Sequence, residues 1–518
     1  MDKRVERKKL DIAARYAAMT HDLNWDTSYQ PQEKVFPYAR YEGIRVHDWD
    51  QWADPFRMTI DVWWRQQGEK DKRLYAVMDA FAQNNGQLGV SDARYVNAVK
   101  LVLQAFAPLK YTLHRALAHA SRNLRGDALR IAAQMQAADE LRHSQGQTHA
   151  ASVYNKYFNG LHAAPQWHEH AWYLAPIKSF AEDVGSAGPF EALIAVSFGF
   201  DALLSDLLFV PFMSGAAHNG DLSTVPASFS AHADAARHKA LGIGMVRFLA
   251  QQDPLNLPIL QHWIDKWFWR SFRLMPMVAM MQDYMLPKRM ASWKEAWQEY
   301  VAAPVNALFD ELAPLGIRRP AGWEDACAAR DHLSHQAWNA FYGWGNALAF
   351  HTWVPGADEL AWLDHKYPDS FDRWYQPRLT HYAQREAAGH RYYNRSLPMQ
   401  CQVCQQPMLF TEPGSPRWIA YRETDYDDEK FHFCSDHCED IFAHEPDKYV
   451  QAKLPSHETL HAQRDKVGID SVVADLPQAS LAECGVDMTR DIGEFNSSED
   501  AMNFETWGGG QDMKEAQL

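Results

Sequence analysis

The sequence predicts a mainly α-helical protein: a bundle of long helices followed by a small cysteine-bound metal module. Three observations predict it. From residue 92 to about 350, apolar residues recur at three and four in stretches such as DARYVNAVKLVLQAFAPLKYTLHRALAHASR, with Gly/Pro-rich joints between them. The pentapeptide DELRH at Asp139 to His143 returns 95 residues later as DAARH at Asp234 to His238, which relates two helix pairs by a shared frame. Four of the six cysteines fall in one short cluster after residue 400.

A chain of 518 residues, 47% apolar and 13% aromatic, buries a large core and has room for more than one domain. The net charge of -15 argues against a nucleic-acid or anionic-membrane partner, because both need basic patches, and leaves small molecules and other proteins. The opening MDKRVERKKLDIAARYAAM is charged and lacks the apolar core and cleavage site of a secretory signal. The longest apolar run, LIAVSFGFDALLSDLLFVPFMSGAA, contains Asp201 and Asp206, which marks a buried helix of a soluble protein rather than a membrane span. Six cysteines so distributed do not suit a disulfide framework, and the expectation is a cytoplasmic protein.

Taken in order, residues 1–90 are rich in Trp and Tyr and mixed in pattern, as in HDWDQWADPF, which predicts an N-terminal wrapping segment with short helices. Residues 91–395 form the helical domain and 396–452 the cysteine module. Residues 453–518 hold 13 Asp/Glu against 5 Lys/Arg, so this weakly patterned part carries -8 of the total -15 and reads as a solvated acidic tail.

In the cysteine cluster, CQVC at Cys401 and Cys404 is followed 30 residues later by CSDHC at Cys434 and Cys438. Two close thiol pairs separated by such a loop converge as four thiolates around one tetrahedral zinc. With four Cys available, His432 and His437 are expected on the surface. The following EDIFAHEPDKYV resembles the end of the small zinc-binding YHS type of domain. A closed site of this kind stabilises a module that lacks its own core and leaves no open position for catalysis.

The repeated frame carries different chemistry. Glu140 and His143 are three apart, so on a helix they project from one face. The same pair arriving from a second helix is how four-helix bundles build dinuclear iron sites. Asp234 and His238 stand four apart on a similar helix, and Asp201 lies in an apolar helix where an ionised carboxylate is costly unless bound. The second copy keeps the frame but has Ala235 where the first has Glu140.

Several stretches, among them AFAQNNGQLGVSDARYVNA, YNKYFNGLH, LLFVPFMSGAA, WIDKWFWR, HTWVP, KYPDSFDR, FHFCSDHC and SSEDAMNF, closely resemble the large oxygenase subunit of soluble bacterial multicomponent phenol hydroxylases, relatives of the toluene and methane monooxygenases. The resemblance covers nearly the whole chain. It implies a ferritin-like helical bundle in which four Glu and two His hold two irons that activate O2 to hydroxylate phenol-like aromatics. Carried over residue by residue, the bridging Glu and first His are Glu140 and His143, the second His is His238, and the Glu of the apolar helix is replaced by Asp201. The other two positions have lost their ligand: Lys110, in APLKYTL, stands in place of the first Glu and Ala235 in place of the last, at spacings of 30 (Lys110 to Glu140) and 34 (Asp201 to Ala235). Asp139 and Asp234 match the carboxylates that hydrogen-bond the opposite His ligands, and Arg237 is also retained. Ser205 matches the hydroxyl residue beside the iron centre, with a helix serine bonded to a backbone carbonyl as the competing reading. Gln147, one turn after His143, faces the same pocket.

The cysteine spacing implies zinc in the module, and the resemblance implies iron in the bundle, at zero, one or two ions per chain. Partners implied are smaller oxygenase subunits, an effector protein, an iron-sulfur flavin reductase and a small apolar or aromatic substrate. With two ligands gone, altered chemistry on a single metal, or other redox chemistry on an unusual pair, is the favoured expectation. The alternatives are a catalytically silent structural or regulatory subunit, and a standard diiron enzyme in which His232 or Asp234 swings in as a replacement ligand.

Overall fold

The computed structural model describes residues 10–23, 27–36, 41–90, 93–158, 174–330, 401–406 and 422–452, with single residues between 333 and 387. Its core is built from helices α1 (Ile60–Gln83), α2 (Ala93–Asn123), α3 (Asp127–Tyr154), α4 (Ala175–Ser186), α5 (Pro189–Ala202), α6 (Ser205–His218), α7 (Thr224–Gln252) and α8 (Asn256–Phe272). The mainly helical fold expected from the periodicity is what forms. Shorter helices at Met275–Met280, Trp293–Trp297, Ala303–Leu312 and Trp323–Ala329 close one side, where Trp269, Phe272, Trp293 and Trp297 pack together and are buried.

Four helices surround the buried polar centre: α2, α3, α5 and α7. A turn of three residues folds α3 back along α2, and this is the most extensive helix contact among the described residues. Pro108 has no N–H for the ladder of α2, and beside it the Ser144 hydroxyl of α3 donates to Ala107 O at 2.7 Å, pinning the two helices next to Lys110. In α6, Pro211 likewise frees Leu207 O, and Gln282 Nε2 donates to it at 3.3 Å.

Helix α5 widens into a π-helix over Ile194–Ala202, and Asp201 lies at its end. Gly242 of α7 permits the close approach that brings α5 against His238: a Cβ there would stand 2.5 Å from the Ser197 carbonyl. No single helix among the described residues is long and apolar enough to cross a membrane. The apolar run forms the bent pair α5 and α6, angled at 47°, and most of it is buried inside the bundle.

Two expectations are corrected here. The N-terminal segment is not limited to short helices, because α1 runs for 24 residues. Its inward face carries Trp63, Gln67 and Lys70, whose polar atoms meet buried carboxylates. His432 and His437 are not on the surface: both are buried, His437 lying 4.2 Å ring to ring from Trp269 with Nε2 2.5 Å from Asp325 Oδ2. The module packs onto α8 instead of standing free in solvent.

The described part of that module is an antiparallel pair, β1 (Arg422–Tyr426) and β2 (Glu429–Phe433), with Arg422 opposite Phe433 and Tyr426 opposite Glu429, followed by helix α9 (Asp436–His444). Ser435 caps α9, accepting from the Cys438 amide, which sets Cys438 in its first turn. The expected acidic tail, 453–518, lies outside the described residues.

Candidate metal centre

Helix α3 places Glu140 and His143 on one inward face, and α7 brings His238 towards them from the opposite side, with the two imidazole rings 6.1 Å apart. Asp201 reaches in from α5. His238 Nδ1 lies 3.6 Å from Glu140 Oε1 and 3.4 Å from Asp201 Oδ2. His143 Nδ1 lies 3.8 Å from Glu140 Oε2. Ligand atoms of Glu140, Asp201 and His238 all fall within 4.8 Å of one another, and all three residues are buried.

Each imidazole is held by a carboxylate from the other half of the frame. His143 Nε2 is 2.9 Å from Asp234 Oδ2, and His238 Nε2 is 3.2 Å from Asp139 Oδ2. A carboxylate at Nε2 keeps the proton there and turns the Nδ1 lone pair towards the centre, as the carboxylates behind metal-binding histidines do. His143 Nδ1 makes no hydrogen bond.

These carboxylates are neutralised in turn. Arg237 pairs with Asp139. Arg142 bridges Asp139 Oδ1 (2.9 Å) and Asp234 Oδ2 (3.1 Å) and is itself tied to Asp71 of α1. From α1, Trp63 Nε1 donates to Asp139 Oδ1 at 3.1 Å, Gln67 Nε2 to Asp234 Oδ1 at 2.8 Å, and Lys70 Nζ lies 2.6 Å from the same oxygen. Sequence reasoning missed Trp63, Gln67, Lys70 and Arg142. The last was legible as the Arg of DELRH, one residue before His143; nothing local singled out the other three.

At the heart of the site, Lys110 Nζ of α2 lies 2.8 Å from Glu140 Oε2, with both side chains buried. The ammonium also sits 5.8 Å from the ring centre of Phe200 and 5.7 Å from that of Phe209, a cation-π setting. Burial by itself pushes the Glu140 carboxyl up, but the Lys110 charge and the two histidines hold it well below the usual carboxylate range. Burial opposes the charge on Lys110, and Glu140 and Asp201 outweigh it, so the amine stays above its ordinary value.

Asp201 has no cation of this kind. Its Oδ2 takes a long contact of 3.4 Å from Gln136 Nε2, whose amide oxygen accepts from Ser197, and its Oδ1 is buried without a hydrogen bond. Ala235, also buried, offers only a methyl group. His232 Nδ1 lies 3.4 Å from Asp206 Oδ1, and Asp234 is engaged by His143, Arg142, Gln67 and Lys70, so neither stands as a replacement ligand. The Ser205 hydroxyl donates to Asp201 O at 2.7 Å, across the bend between α5 and α6. Gln147 is buried, with Oε1 free of hydrogen bonds.

In the module, Cys401, Cys404, Cys434 and Cys438 are buried with all four Sγ atoms within 4.8 Å of one another. Cys404 and Cys434 are 3.5 Å apart, and Cys434 and Cys438 are 3.7 Å apart. Four convergent thiols at this spacing are a donor set for one tetrahedral metal ion.

A four-helix frame presenting Glu-x-x-His against a second His, each imidazole backed by a carboxylate, is the architecture of the carboxylate-bridged oxygenases. The chain belongs to the Methane/Phenol/Alkene Hydroxylase family, whose profile matches residues 25–253, and a YHS domain profile matches residues 413–453. Within that family it is a large oxygenase subunit of the phenol hydroxylase type: it is 49% identical, over 90% of each chain, to the phenol 2-monooxygenase oxygenase component DmpN of Pseudomonas sp. (strain CF600). It is also 50% identical to the crystallised phenol hydroxylase from Pseudomonas sp. OX1, with a TM-score of 0.77 over 90% of this chain and 94% of that one. The alkene monooxygenase oxygenase subunit alpha of Xanthobacter autotrophicus is more distant, at 24% identity over 83% of this chain and 87% of its own.

Proposed function

We propose that this chain is the large subunit of a phenol-hydroxylase-type oxygenase whose buried centre is reduced to one metal position and which acts on a small apolar or aromatic substrate. The observation that carries this reading is the 2.8 Å ion pair between Lys110 and Glu140. A carboxylate committed to an ammonium is a poor bridge between two metal ions, and the ammonium repels a cation on its own side. Two irons therefore do not fit the residues present.

One divalent ion does fit. Glu140, Asp201 and His238 offer two carboxylates and one imidazole, donors of the kind used by mononuclear non-haem iron, and the buried Asp201 Oδ1 lacks any other partner. Those three residues would hold a ferrous ion, which would supply an O2-binding redox centre fed by electrons from the reductase component. The chain does the positioning: Lys110 fixes and neutralises Glu140, Asp139 sets the tautomer of His238, Gln136 orients Asp201, and the Phe200 and Phe209 rings exclude water around Lys110. Gln147 and Ser205 complete the polar lining. In the module, the four thiolates hold zinc.

A silent, metal-free subunit is the second reading, favoured by the same ammonium, which replaces one lost cation electrostatically. In either case the chain works in the cytoplasm with smaller oxygenase subunits, an effector protein and an iron-sulfur flavin reductase. The test is elemental analysis of full-length protein from iron-supplemented cells. One iron and one zinc per chain supports the single-metal centre. Two irons would overturn it in favour of a standard diiron enzyme, and zinc without iron or another redox metal in favour of the silent subunit.

A further inference from the structure

Helix α1 meets solvent along a single stripe. Positions 62, 65, 66, 69, 70, 73 and 74 recur at three and four, the spacing of neighbours on one helix face, and with Phe229 of α7 they line an open groove of about 620 Å³. The stripe is about 18 Å long at the helical rise per residue. Val62, Leu74 and Phe229 give the groove an apolar strip, and Phe229 is 45% exposed. Exposed apolar surface rimmed by charge marks an interaction site.

The charge of the groove is one-sided. Arg65, Lys70 and Arg73 line it against one acidic side chain, Glu69. Lys70 is spent inwards, with Nζ 2.6 Å from Asp234 Oδ1, but Arg65 and Arg73 are exposed. Arg65 has a 3.4 Å contact with Asp61, and Arg73 makes no ion pair or hydrogen bond among the described residues. In a chain of net charge -15 this is a local basic patch, suited to an acidic ligand that also carries apolar side chains.

That chemistry is present in the same chain. Residues 491–512 hold six Asp/Glu (491, 494, 499, 500, 505 and 512) and no Lys or Arg, and among them stand Phe495, Phe504 and Trp507. Asp491 follows Ala452, the last described residue, by 39 positions. A linker of that length reaches up to about 130 Å, far beyond the longest helix of the bundle, so its length does not restrict where the segment binds.

We propose that residues 491–512 bind in the α1 groove as an intramolecular ligand, with carboxylates on Arg65 and Arg73 and an aromatic side chain on the strip of Val62, Leu74 and Phe229. A tethered segment meets its site at an effective concentration of about a millimolar, which favours it over a separate acidic protein of the same chemistry. The inward face of the same helix holds Asp139 and Asp234 through Trp63, Gln67 and Lys70, so an occupied groove clamps α1 over the metal centre.

The experiment follows the fluorescence anisotropy of a labelled peptide of residues 491–512 added to two full-length proteins. One is the unmodified chain, and the other carries Glu494→Gln, Glu499→Gln, Asp500→Asn, Glu505→Gln, Phe504→Ser and Trp507→Ser, which empties the groove. The second is expected to bind the peptide about 10- to 100-fold tighter, because in the first the chain's own segment competes. Adding Arg65→Glu and Arg73→Glu to it is expected to weaken binding about 10-fold or more. Phe229→Ser serves as the second probe of the groove if that variant does not fold. Equal binding to the two proteins would mean that the groove is open in the full chain, overturning the proposal in favour of a separate acidic partner. No binding to the protein with the altered tail, or binding unchanged by the groove substitutions, would overturn it outright.

Discussion

Lys110 and Glu140 form an ion pair of 2.8 Å at the point where four helices converge, and water reaches neither side chain. Replacing one member of such a pair leaves the other charge buried alone, which costs about 3–5 kcal/mol. Lys110→Met is accordingly expected to destabilise the metal-free protein by that order, measured by urea unfolding at pH 7 in the presence of chelator. An unchanged midpoint would mean that the two groups do not interact in solution.

Restoring the lost carboxylates tests the frame. The double substitution Lys110→Glu and Ala235→Glu removes the opposing cation and returns a six-ligand set around histidines that Asp139 and Asp234 already orient. The expected result is uptake of two irons per chain, read by metal analysis and Mössbauer spectroscopy. Failure to bind iron in a folded variant would show that the pocket has diverged beyond its ligands.

Helix α1 acts on the centre through carboxylates it holds but does not contribute. Trp63→Phe removes the 3.1 Å bond to Asp139, and Gln67→Leu the 2.8 Å bond to Asp234. A hydrogen bond to a charged group contributes about 1.5–3 kcal/mol, so each variant is expected to lose that much stability with an unchanged denaturant slope. The two effects are expected not to add, because Arg142 bridges the two carboxylates into one network. Losses well under 0.5 kcal/mol, roughly the scale of a neutral surface change, would show that neither bond forms.

The docking of the module predicts a pH dependence. Asp183 is buried, which pushes its carboxyl up, but Lys266, Arg270 and Lys448 hold it far below the usual range. A depressed carboxyl contributes stability that is fully present above its unfolded value of about 3.9 and is lost as pH falls towards the lower folded value. Asp183→Asn is therefore expected to lower stability by about 3–5 kcal/mol at pH 7, with the gap to the unmodified chain closing below about pH 4. Thermal melts from neutral pH down to about pH 2, a range that spans the unfolded titration at about 3.9, check this, and a gap independent of pH would count against it.

Much of this was legible before folding. Glu140 and His143 share a face by helical spacing alone, and the DxxRH echo marked His238, Asp139 and Asp234 as a related set. Asp201 stood out as a carboxylate in an apolar run, and the four cysteines by their spacing. Trp63, Gln67 and Lys70 did not, because their meaning lies in partners 76, 167 and 164 positions away. His437 was misplaced for the same reason: its burial depends on Trp269 and Asp325, which the local sequence CSDHC does not reveal.

The sequence by itself determined the helical architecture, the family and the identity of the side chains available to a metal, since these follow from residue type and short spacing. Only the tertiary structure decided which charges meet: that Lys110 reaches Glu140, and that Asp201 Oδ1 is left buried without a hydrogen bond. Ionic interactions depend on separation in space and on burial, and neither is written in the order of residues along the chain.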